Sequence, residues 1–325
     1  EDEKTSSGTG YSFYDKVRLE ETADTIMNLF PDKNIFILDM GCGNGGLLKE
    51  LKLRGYKRIM GCDPSFSCVQ NVLNQNIESF QGTLFDESNI SRKFDLVILS
   101  HVLEHVCDLQ NAKQILLSLL NEGGKIYIET PDASRYVDFY VTPFHYFDVE
   151  HINHFDARYQ DLLFATSGME CISTGTKQMA VSQDKYYPAV YSVLQKCKRE
   201  NVAFEYNDSL RKKIMSYIEL SESNEDISDK IQSLYNSNKE IIVWGVGSYT
   251  MSLLSSTDLA CCNIKCFIDS NPLKQGTSLL GKEIKDISAL IDFKGVVVIC
   301  SALYASEIVA QIKDYGCTNE LVILK

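Results

Sequence analysis

Ten consecutive residues, Ile37-Leu38-Asp39-Met40-Gly41-Cys42-Gly43-Asn44-Gly45-Gly46, join an apolar, strand-like run to a turn that contains four glycines. A helix-like run follows from Leu47 to Leu53. Glycines at such a turn let the backbone approach a bound ligand closely at the carboxyl edge of a sheet. The pattern therefore predicts a cofactor site. An ordinary glycine-rich turn between a strand and a helix has the same appearance, so the neighbouring motifs must discriminate between the two interpretations.

The composition is that of an ordinary globular protein. The 325 residues are 44% apolar and 23% charged, which is enough chain for two domains. The net charge of -12 argues against a nucleic-acid-binding surface, because such a surface needs clustered lysine and arginine. No apolar run reaches the roughly 18 residues that cross a bilayer, and the first residues are polar and acidic. We expect a soluble protein that does not bind membranes.

The eleven cysteines are an odd number without a CxxC pair. Free thiols in a reducing cytoplasm fit this usage, so a cytoplasmic location is expected. Cys261, Cys262 and Cys266 lack the short spacings of a zinc site, and no metal centre is predicted there.

Strand-like and helix-like runs alternate after a predicted helix over residues 15–30. The five predicted strands cover residues 35–40, 58–62, 78–81, 94–99 and 125–129. This alternation predicts a parallel sheet with helical crossovers, and residues 171–174 and 191–195 are expected to close it as an antiparallel pair.

A second strand-and-helix series begins at Glu240. The apolar strand Ile241–Trp244 precedes another glycine turn with Gly245, Gly247 and Ser248. The fold class is therefore α/β, with two Rossmann-like domains of which the second is smaller. The predicted domains are an N-terminal lid and helix (1–33), a cofactor-binding domain (34–198), a helical linker (199–238) and the second domain (239–325).

Further motifs follow the predicted strands of the first domain. Asp63-Pro64 lies about twenty residues beyond the glycine turn, where a carboxylate can accept hydrogen bonds from ribose hydroxyls. Phe85-Asp86 is an aromatic and carboxylate pair suited to an adenine. The run Ser100-His101-Val102-Leu103-Glu104-His105 follows the fourth strand. These motifs together are more specific than the glycine turn alone.

Over residues 35–175 the sequence resembles the class I methyltransferases that depend on S-adenosyl-L-methionine (SAM). The resemblance implies SAM as the cofactor. It implies contacts of Asp39, Gly41, Cys42 and Gly43 with the methionine part, of Asp63 and Pro64 with the ribose, of Phe85 and Asp86 with the adenine, and of Ser100 and His101 with the methionine end. An NAD-binding domain is the alternative, but the turn has GxGxGG rather than GxGxxG spacing.

All five histidines lie between residues 101 and 154, and three of them fall in the segment 144–156. A neutral imidazole can remove a proton, and a neighbouring carboxylate can hold its tautomer, so Glu150 and His151 form a candidate catalytic pair. His154 is the third candidate catalytic residue. Two alternatives remain open, namely histidines that cap the following helix, and a metal site built from His145, Asp148, Glu150, His151 and His154.

A narrower resemblance connects the Glu150-His151 segment and the second glycine turn to the sugar-nucleotide C-methyltransferases. It implies that His151 is the general base and that tyrosines bind the sugar. The substrate-binding residues expected from it are Tyr11, Tyr14, His145, Tyr146, Gly245, Gly247 and Ser248. The cysteine-ligated zinc module of those enzymes has no counterpart in this sequence. Core packing remains the alternative for the two N-terminal tyrosines, and a structural role remains the alternative for the second domain.

The sequence thus predicts a SAM-dependent methyltransferase that acts at carbon or oxygen of a carbohydrate, in particular a nucleotide-linked sugar. The predicted partners are a small molecule and neither nucleic acid nor membrane, and the chain is compatible with a homodimer. The alternatives are an NAD(P)-binding oxidoreductase, a methyltransferase for the oxygen or nitrogen of a non-sugar molecule, and a SAM-binding regulator without activity.

Overall fold

A computed structural model describes residues 13–86, 90, 92–165, 167–197, 207–223 and 226–325. Tyr11, predicted to bind substrate, lies outside the described residues, as does the start of the predicted linker. The chain divides into two compact units. The second unit comprises Tyr140–Asp148 and Met215–Lys325, and the first comprises the chain up to Phe139 together with Val149–Ile214.

The first unit is a mixed sheet covered by helices. Its helices are α1 (Phe13–Leu29), α2 (Gly46–Leu53), α3 (Phe66–Asn74), α4 (Leu109–Ser118) and α5 (Ala157–Ala165). Its strands are β1 (Ile37–Met40), β2 (Ile59–Asp63), β3 (Glu78–Gln81), β4 (Phe94–Ser100), β5 (Leu120–Pro131), β6 (Met169–Ser182) and β7 (Lys185–Lys196).

These strands form one seven-stranded sheet in the order β3-β2-β1-β4-β5-β7-β6. The first five strands of that order are parallel, and β7 pairs antiparallel with both β5 and β6. The predicted α/β fold, with a parallel sheet and a closing antiparallel pair, is confirmed. Both antiparallel strands are longer than predicted. The sequence pattern underestimates the length of β6 because half-buried and exposed residues, most of them polar, alternate over most of this strand.

Both faces of the parallel sheet are buried. In β4, Leu96 and Ile98 pack in the cluster that contains α1 and α2, whereas Val97 and Leu99 pack in the cluster that contains α4 and α5. Because helices cover both faces, β1 and β4 are mostly apolar rather than alternating, which is why the sequence shows them as short continuous runs.

The register brings the functional motifs to one edge of this sheet. Asp39 pairs with Gly61 on one side and with Ile98 on the other, so β1, β2 and β4 end side by side. The residues that follow these strands, including the glycine turn, therefore lie at a shared carboxyl edge. Ligands of open α/β sheets bind at this edge.

The second unit repeats this layout on a smaller scale. Its helices are α7 (Asp226–Ser237), α8 (Ser248–Ser256) and α9 (Ala305–Asp314), while α6 (Ser209–Glu222) carries the division between the units. Its strands are β8 (Ile241–Trp244), β9 (Ile264–Ile268), β10 (Ser278–Leu279), β11 (Lys282–Lys285), β12 (Val296–Ile299) and β13 (Leu321–Ile323). The order is β10-β11-β9-β8-β12-β13, and all neighbours are parallel except β10 and β11.

Sequence reasoning missed β10 and β11. Within β11 only Ile284 is buried, and its neighbours are charged and exposed, so the segment shows no apolar run. Within the predicted helical linker (199–238), the described residues form two helices, α6 and α7. Over the described ranges, none of the helices combines the length and the apolar character needed to cross a membrane.

Candidate active site

The first glycine turn depends on backbone conformations that favour glycine. Gly41, Gly43 and Gly45 have φ values of 71°, 52° and 78°. A Cβ atom on Gly41 would lie 2.7 Å from Cγ2 of Val102, and one on Gly45 would lie 2.7 Å from Cγ2 of Val72. The glycines therefore supply both a left-handed backbone and a close approach to neighbouring side chains.

Asp63 holds this turn in place from the end of β2. Its Oδ2 accepts a hydrogen bond from the backbone N–H of Gly43 at 2.8 Å, and its Oδ1 accepts one from the N–H of Ser65 at 2.9 Å. The carboxylate is largely buried. Asp63 thus orders the loop in addition to the ribose contact that the sequence predicts for it.

Asp39 makes the same region electrostatically unusual. Its side chain is 3% exposed. Burial first, and then the negative charge of Asp63, raise the pKa of Asp39 to about 8, while Arg18 acts in the opposite direction. The nearby Asp63 carboxylate disfavours ionisation of the buried Asp39, so this end of the sheet favours a cationic ligand.

A cavity of about 400 Å³ lies next to the turn. The predicted cofactor residues that line it are Asp39, Gly41, Cys42, Gly43, Ser100 and His101. The other lining residues, which sequence reasoning did not assign to a site, are Asp15, Arg18, Leu19, Thr22, Leu47, His105 and Met179. Four of these belong to α1, whose amphipathic pattern indicates only a packed helix. Burial raises the pKa of the Cys42 thiol, so this side chain stays neutral in the cavity wall.

The residues predicted for the ribose and adenine are not part of that cavity lining. Phe85 is exposed. The carboxylate of Asp86 accepts hydrogen bonds from the backbone N–H of Thr83 at 2.6 Å and from its hydroxyl at 2.8 Å, and these bonds lower the pKa of Asp86. Asp86 thus forms a tight turn, and Pro64 precedes α3. The structure places these residues beyond the carboxyl ends of β2 and β3, as the strand assignment predicts.

His101 belongs to a buried network of charged groups. Its φ is 56°, its Nδ1 lies 3.1 Å from Oε1 of Glu104, and its Nε2 lies 3.6 Å from Oε1 of Glu129. Burial opposes a charge on His101, but the two carboxylates outweigh it and raise the pKa of His101 to about 9. At neutral pH this imidazole is therefore cationic, and its Nδ1–H donates a hydrogen bond to Glu104.

Glu129 is the centre of that network, and sequence reasoning missed it. Burial would raise the pKa of Glu129, but Lys177 and His101 lower it well below the usual range. The Lys177 ammonium donates to the Glu129 carboxylate and, at 3.2 Å, to the hydroxyl of Thr22, and the hydroxyl of Tyr127 also donates to Glu129. Lys177 thereby connects the cavity wall formed by α1 to the sheet.

The side chain of His105 forms a hydrogen bond with the main-chain carbonyl group of Glu150. Nδ1 of His105 lies 2.8 Å from that oxygen, and the rings of His105 and His151 are 5.0 Å apart between centroids. Because a carbonyl oxygen only accepts, Nδ1 carries the proton and Nε2 keeps its lone pair. The side chain of Glu150 is exposed. The predicted Glu150-His151 pair thus lies beside His105. Of these three residues, His105 is the one that lines the cavity.

His154 is positioned by a buried tyrosine. The hydroxyl of Tyr136 lies 3.1 Å from Nδ1 of His154, and the two rings meet edge to face. Burial first, and then the neighbouring His151, lower the pKa of His154, so its imidazole is neutral near pH 7. All three predicted catalytic residues belong to the first unit.

The predicted substrate-binding residues divide between the units. Tyr14 is half-buried on α1, where its ring packs edge to face against Phe13 at 5.5 Å. His145 and Tyr146 belong to the second unit. Tyr146 is buried, its ring lies 5.5 Å from that of Tyr217, and its backbone N–H donates to the Tyr217 hydroxyl at 3.1 Å. In this position Tyr146 is a core residue of the second unit.

Gly245, Gly247 and Ser248 form the second glycine turn, at the start of α8. The backbone N–H of Val246 donates to Oδ2 of Asp269 at 2.9 Å. The Lys274 ammonium donates to the carbonyl oxygen of Val246 at 2.6 Å and to Oδ2 of Asp269 at 3.2 Å. This turn therefore already holds a cation from its own chain.

Two family models match the chain. Residues 14–174 match a family described as "Methyltransferase domain", and residues 237–323 match one described as "C2185-like, N-terminal". A solved SAM dependent methyltransferase from Archaeoglobus fulgidus has a TM-score of 0.44 and 16% sequence identity, over 57% of this chain and 97% of that chain.

Curated relatives match about a third of the chain. One is a tRNA U34 carboxymethyltransferase of Campylobacter fetus, 31% identical over 34% of this chain and 42% of the relative. Another is the mitochondrial ubiquinone biosynthesis O-methyltransferase of Homo sapiens, 35% identical over 34% of this chain and 33% of the relative. The chain thus spans less than half the length of these relatives. Together with the parallel sheet and the glycine turn, the family match identifies residues 14–174 as a methyltransferase domain of the class I fold, whose cofactor is SAM.

Proposed function

We propose that the first unit catalyses methyl transfer from SAM to a small-molecule acceptor. The observation that carries this proposal is the 400 Å³ cavity, because the glycine turn, Asp39 and two histidines meet in its wall. A cavity of this size at the carboxyl edge of a parallel sheet is suited to a small ligand.

The residues of the cavity fit the charges of SAM. Asp39, with its raised pKa, lacks a full countercharge, and a cationic ligand would supply it. Arg18 lies in the same wall and can bind a carboxylate. The glycine turn leaves out a side chain at Gly41, where a Cβ atom would collide with Val102. Bound SAM would supply an electrophilic methyl group, which the acceptor takes up while the electrons of the broken C–S bond stay on sulfur.

The acceptor must be deprotonated if it is an alcohol, because alignment alone does not make a neutral hydroxyl a strong nucleophile. The histidine group at positions 105, 151 and 154 is the candidate for this activation. His151 remains the predicted general base, and His105 is the member of the group that lines the cavity.

The proposed acceptor class is a carbohydrate, in particular a nucleotide-linked sugar methylated at oxygen or carbon. It is supported only by the resemblance of the Glu150-His151 segment and of the second domain to sugar-nucleotide C-methyltransferases. The relatives carry names that specify tRNA U34 and ubiquinone biosynthesis. Phenols and tRNA are therefore the acceptors against which the carbohydrate proposal should be compared.

Calorimetry with SAM, S-adenosylhomocysteine, NAD and NADP tests the cofactor. We expect SAM and S-adenosylhomocysteine to bind, and binding of NAD without SAM would overturn the proposal in favour of an oxidoreductase. Mass spectrometry of nucleotide sugars, phenols and tRNA incubated with SAM then tests the acceptor. A mass increase of one methyl group confined to the phenols or to tRNA would overturn the carbohydrate assignment while preserving the methyltransferase.

The His151→Ala variant tests the role of the histidine group. We expect unchanged affinity for SAM and methyl transfer slower by roughly 10²- to 10⁴-fold. Asn121→Ala is a suitable comparison, because this residue lies at the opposite end of the sheet, beside Asp95. Turnover at the wild-type rate in His151→Ala would contradict the assignment.

A further inference from the structure

We propose that Glu104, His105 and His151 form a binding site for one divalent transition-metal cation. Each side chain offers one ligand atom, and the three atoms lie within 4.8 Å of one another. Two imidazoles and one carboxylate are an established ligand set for such cations. The three residues come from two segments about 46 positions apart, the short helical turn Leu103–His105 and the loop that follows Asp148.

Glu104 provides the strongest sign of an absent partner. Its side chain is 1% exposed, and its Oε1 lies 3.1 Å from Nδ1 of His101. Within the described part of the chain, its Oε2 is buried without a hydrogen-bond partner. A buried carboxylate oxygen without a partner is costly, because it has lost its water and gained nothing in exchange. A cation at this point would remove that cost.

His105 is oriented as a metal ligand. Its Nδ1–H donates to the carbonyl oxygen of Glu150 at 2.8 Å, so the lone pair resides on Nε2. Metal-binding histidines usually donate their second ring nitrogen to a carbonyl or a carboxylate, which fixes both the tautomer and the ring plane. The structure thus contains the outer hydrogen bond that such a ligand requires.

The loop that carries His151 is attached firmly to the turn that carries the other two ligands. The backbone N–H groups of Ile152 and Asn153 both donate to the carbonyl oxygen of Glu104, at 2.9 and 3.0 Å. The side-chain amide of Asn153 donates to the carbonyl oxygens of Leu103 and Val106, at 3.1 and 2.7 Å. Four hydrogen bonds therefore fix the loop of His151 against the turn of Glu104 and His105. A metal site needs ligands that are held in place in this way.

The ligand set selects the kind of metal. Imidazole nitrogen favours zinc, copper, iron or nickel and carboxylate oxygen also suits manganese, whereas magnesium prefers oxygen ligands and retains its waters. Three protein ligands leave coordination positions open. Because His105 also lines the 400 Å³ cavity, an open position can face the acceptor.

The role of the cation rests on the proposed function. A hydroxyl bound to a divalent metal is more acidic than a free one. Its O–H bond breaks with the proton passing to water, and the electron pair left on oxygen forms the new bond to the methyl carbon while the C–S bond breaks towards sulfur. This scheme would replace the role of general base proposed above for His151, because His105 and His151 would then act together as ligands of the metal.

Metal binding can be measured without any acceptor. Manganese is a suitable probe, because thiolates bind it poorly and the eleven cysteines then contribute little. We expect electron paramagnetic resonance of free Mn²⁺ to show one saturable site in the full chain. His105→Gln and His151→Gln should each weaken that site by at least about tenfold. His105 is exposed, so its variant is not expected to unfold.

Two variants serve as matched controls. Cys107→Ser alters an exposed side chain two positions from His105, and Glu122→Gln removes an exposed carboxylate from β5. Both should bind Mn²⁺ as the wild type does. Absence of a saturable site, or wild-type affinity in both histidine variants, would overturn the proposal.

A chelator separates this proposal from the proposed function. If the site is right, chelation abolishes methyl transfer, added Mn²⁺ or Zn²⁺ restores it, and SAM affinity is unchanged throughout. Full activity after the metal has been removed would overturn the catalytic role of the cation while leaving the methyltransferase intact. Failure of SAM to bind would overturn the proposed function, and the Mn²⁺ titration would still test the site.

Discussion

The two glycine turns of the protein share a backbone arrangement and differ in charge. In the first unit Gly41 follows β1 and donates to the carbonyl oxygen of Cys62, and in the second unit Gly245 follows β8 and donates to that of Ile268, both at 2.8 Å. Asp63 and Asp269 each accept a turn N–H through Oδ2 and the N–H two residues onward through Oδ1. The parallel strands around the turns also have the same order.

The difference lies in what surrounds that arrangement. Asp39, two residues before Gly41, is a buried carboxylate, whereas the corresponding position before Gly245 is the core residue Val243. In the second unit Lys274 neutralises Asp269. The same backbone arrangement of strand, glycine turn and helix can therefore either bind a ligand or have a structural role alone. A few neighbouring side chains determine which of the two it does. At the first turn two carboxyl groups influence each other, whereas at the second a single carboxylate is paired with a lysine.

The largest expected effect comes from the two aspartates that hold the turns. Asp63→Ala should weaken SAM binding by about 1.5 to 3 kcal/mol, because hydrogen bonds to a charged acceptor are lost and the loop loses its support. Asp269→Ala, the matched change in the second unit, should leave SAM affinity unchanged. Calorimetry of both variants checks this. Equal losses would show that the second turn also takes part in cofactor binding.

The raised pKa of Asp39 predicts a pH dependence of SAM binding. Below pH 8 the carboxyl group is protonated, and a cationic ligand favours its ionised form, so binding must release a proton. Affinity should therefore rise between pH 6 and pH 8, on the order of 50-fold, and level off above that range. Calorimetry in buffers of different ionisation enthalpy measures the released proton.

Asp39→Asn is the control for this linkage, because it keeps the shape and removes the titration. The α-amino group of SAM titrates in the same range but affects both proteins equally. The variant should therefore lack the part of the pH dependence that belongs to Asp39. The same pH profile in both proteins would show that Asp39 does not change its charge on binding.

Alanine at the first glycine of each turn should separate stability from binding. A Cβ on Gly245 would lie 2.8 Å from the backbone oxygen of Cys300, at a φ of 104°, whereas the obstacle at Gly41 is a side chain, that of Val102, rather than backbone. Gly245→Ala should cost about 1 to 2 kcal/mol of unfolding free energy, and Gly41→Ala should cost less but impair SAM binding. Urea unfolding and calorimetry test the pair, and a larger loss of stability in Gly41→Ala would contradict the reasoning.

The smallest effect is expected for Lys274→Met. The side chain is partly exposed, so its ion pair with Asp269 should contribute less than about 1 kcal/mol to stability. The change leaves Asp269 without a neighbouring cation and so makes the second turn resemble the first. Thermal unfolding at low and high salt measures the loss, and a cost that persists in high salt would show that Lys274 acts through packing rather than charge.

Much of the first site follows from local sequence. The glycine turn, the strands on either side of it and Asp63 are each encoded within a few residues, and parallel strands of a sheet bring their ends to one edge. The residues that sequence reasoning missed are of another kind. Lys177 donates hydrogen bonds to Thr22, which is 155 positions away in the sequence, and to Glu129, which is 48 positions away. Arg18 lines the cavity from helix α1, whose sequence contains no recognisable motif. Nothing in the local pattern at these positions distinguishes them from ordinary surface or core residues.

The histidines show which features follow from the local sequence and which depend on the tertiary structure. Their concentration between residues 101 and 154 is visible in the sequence, and four of the five belong to the first unit. Adjacency predicts that Glu150 serves His151, and the structure adds a hydrogen bond from Nδ1 of His105 to the carbonyl oxygen of Glu150. Apolar periodicity and the left-handed glycines are properties of single segments, so they determine the α/β fold and the cofactor edge. The partner of each imidazole depends on how a loop packs against a turn some 46 residues away, and only the folded chain establishes that contact.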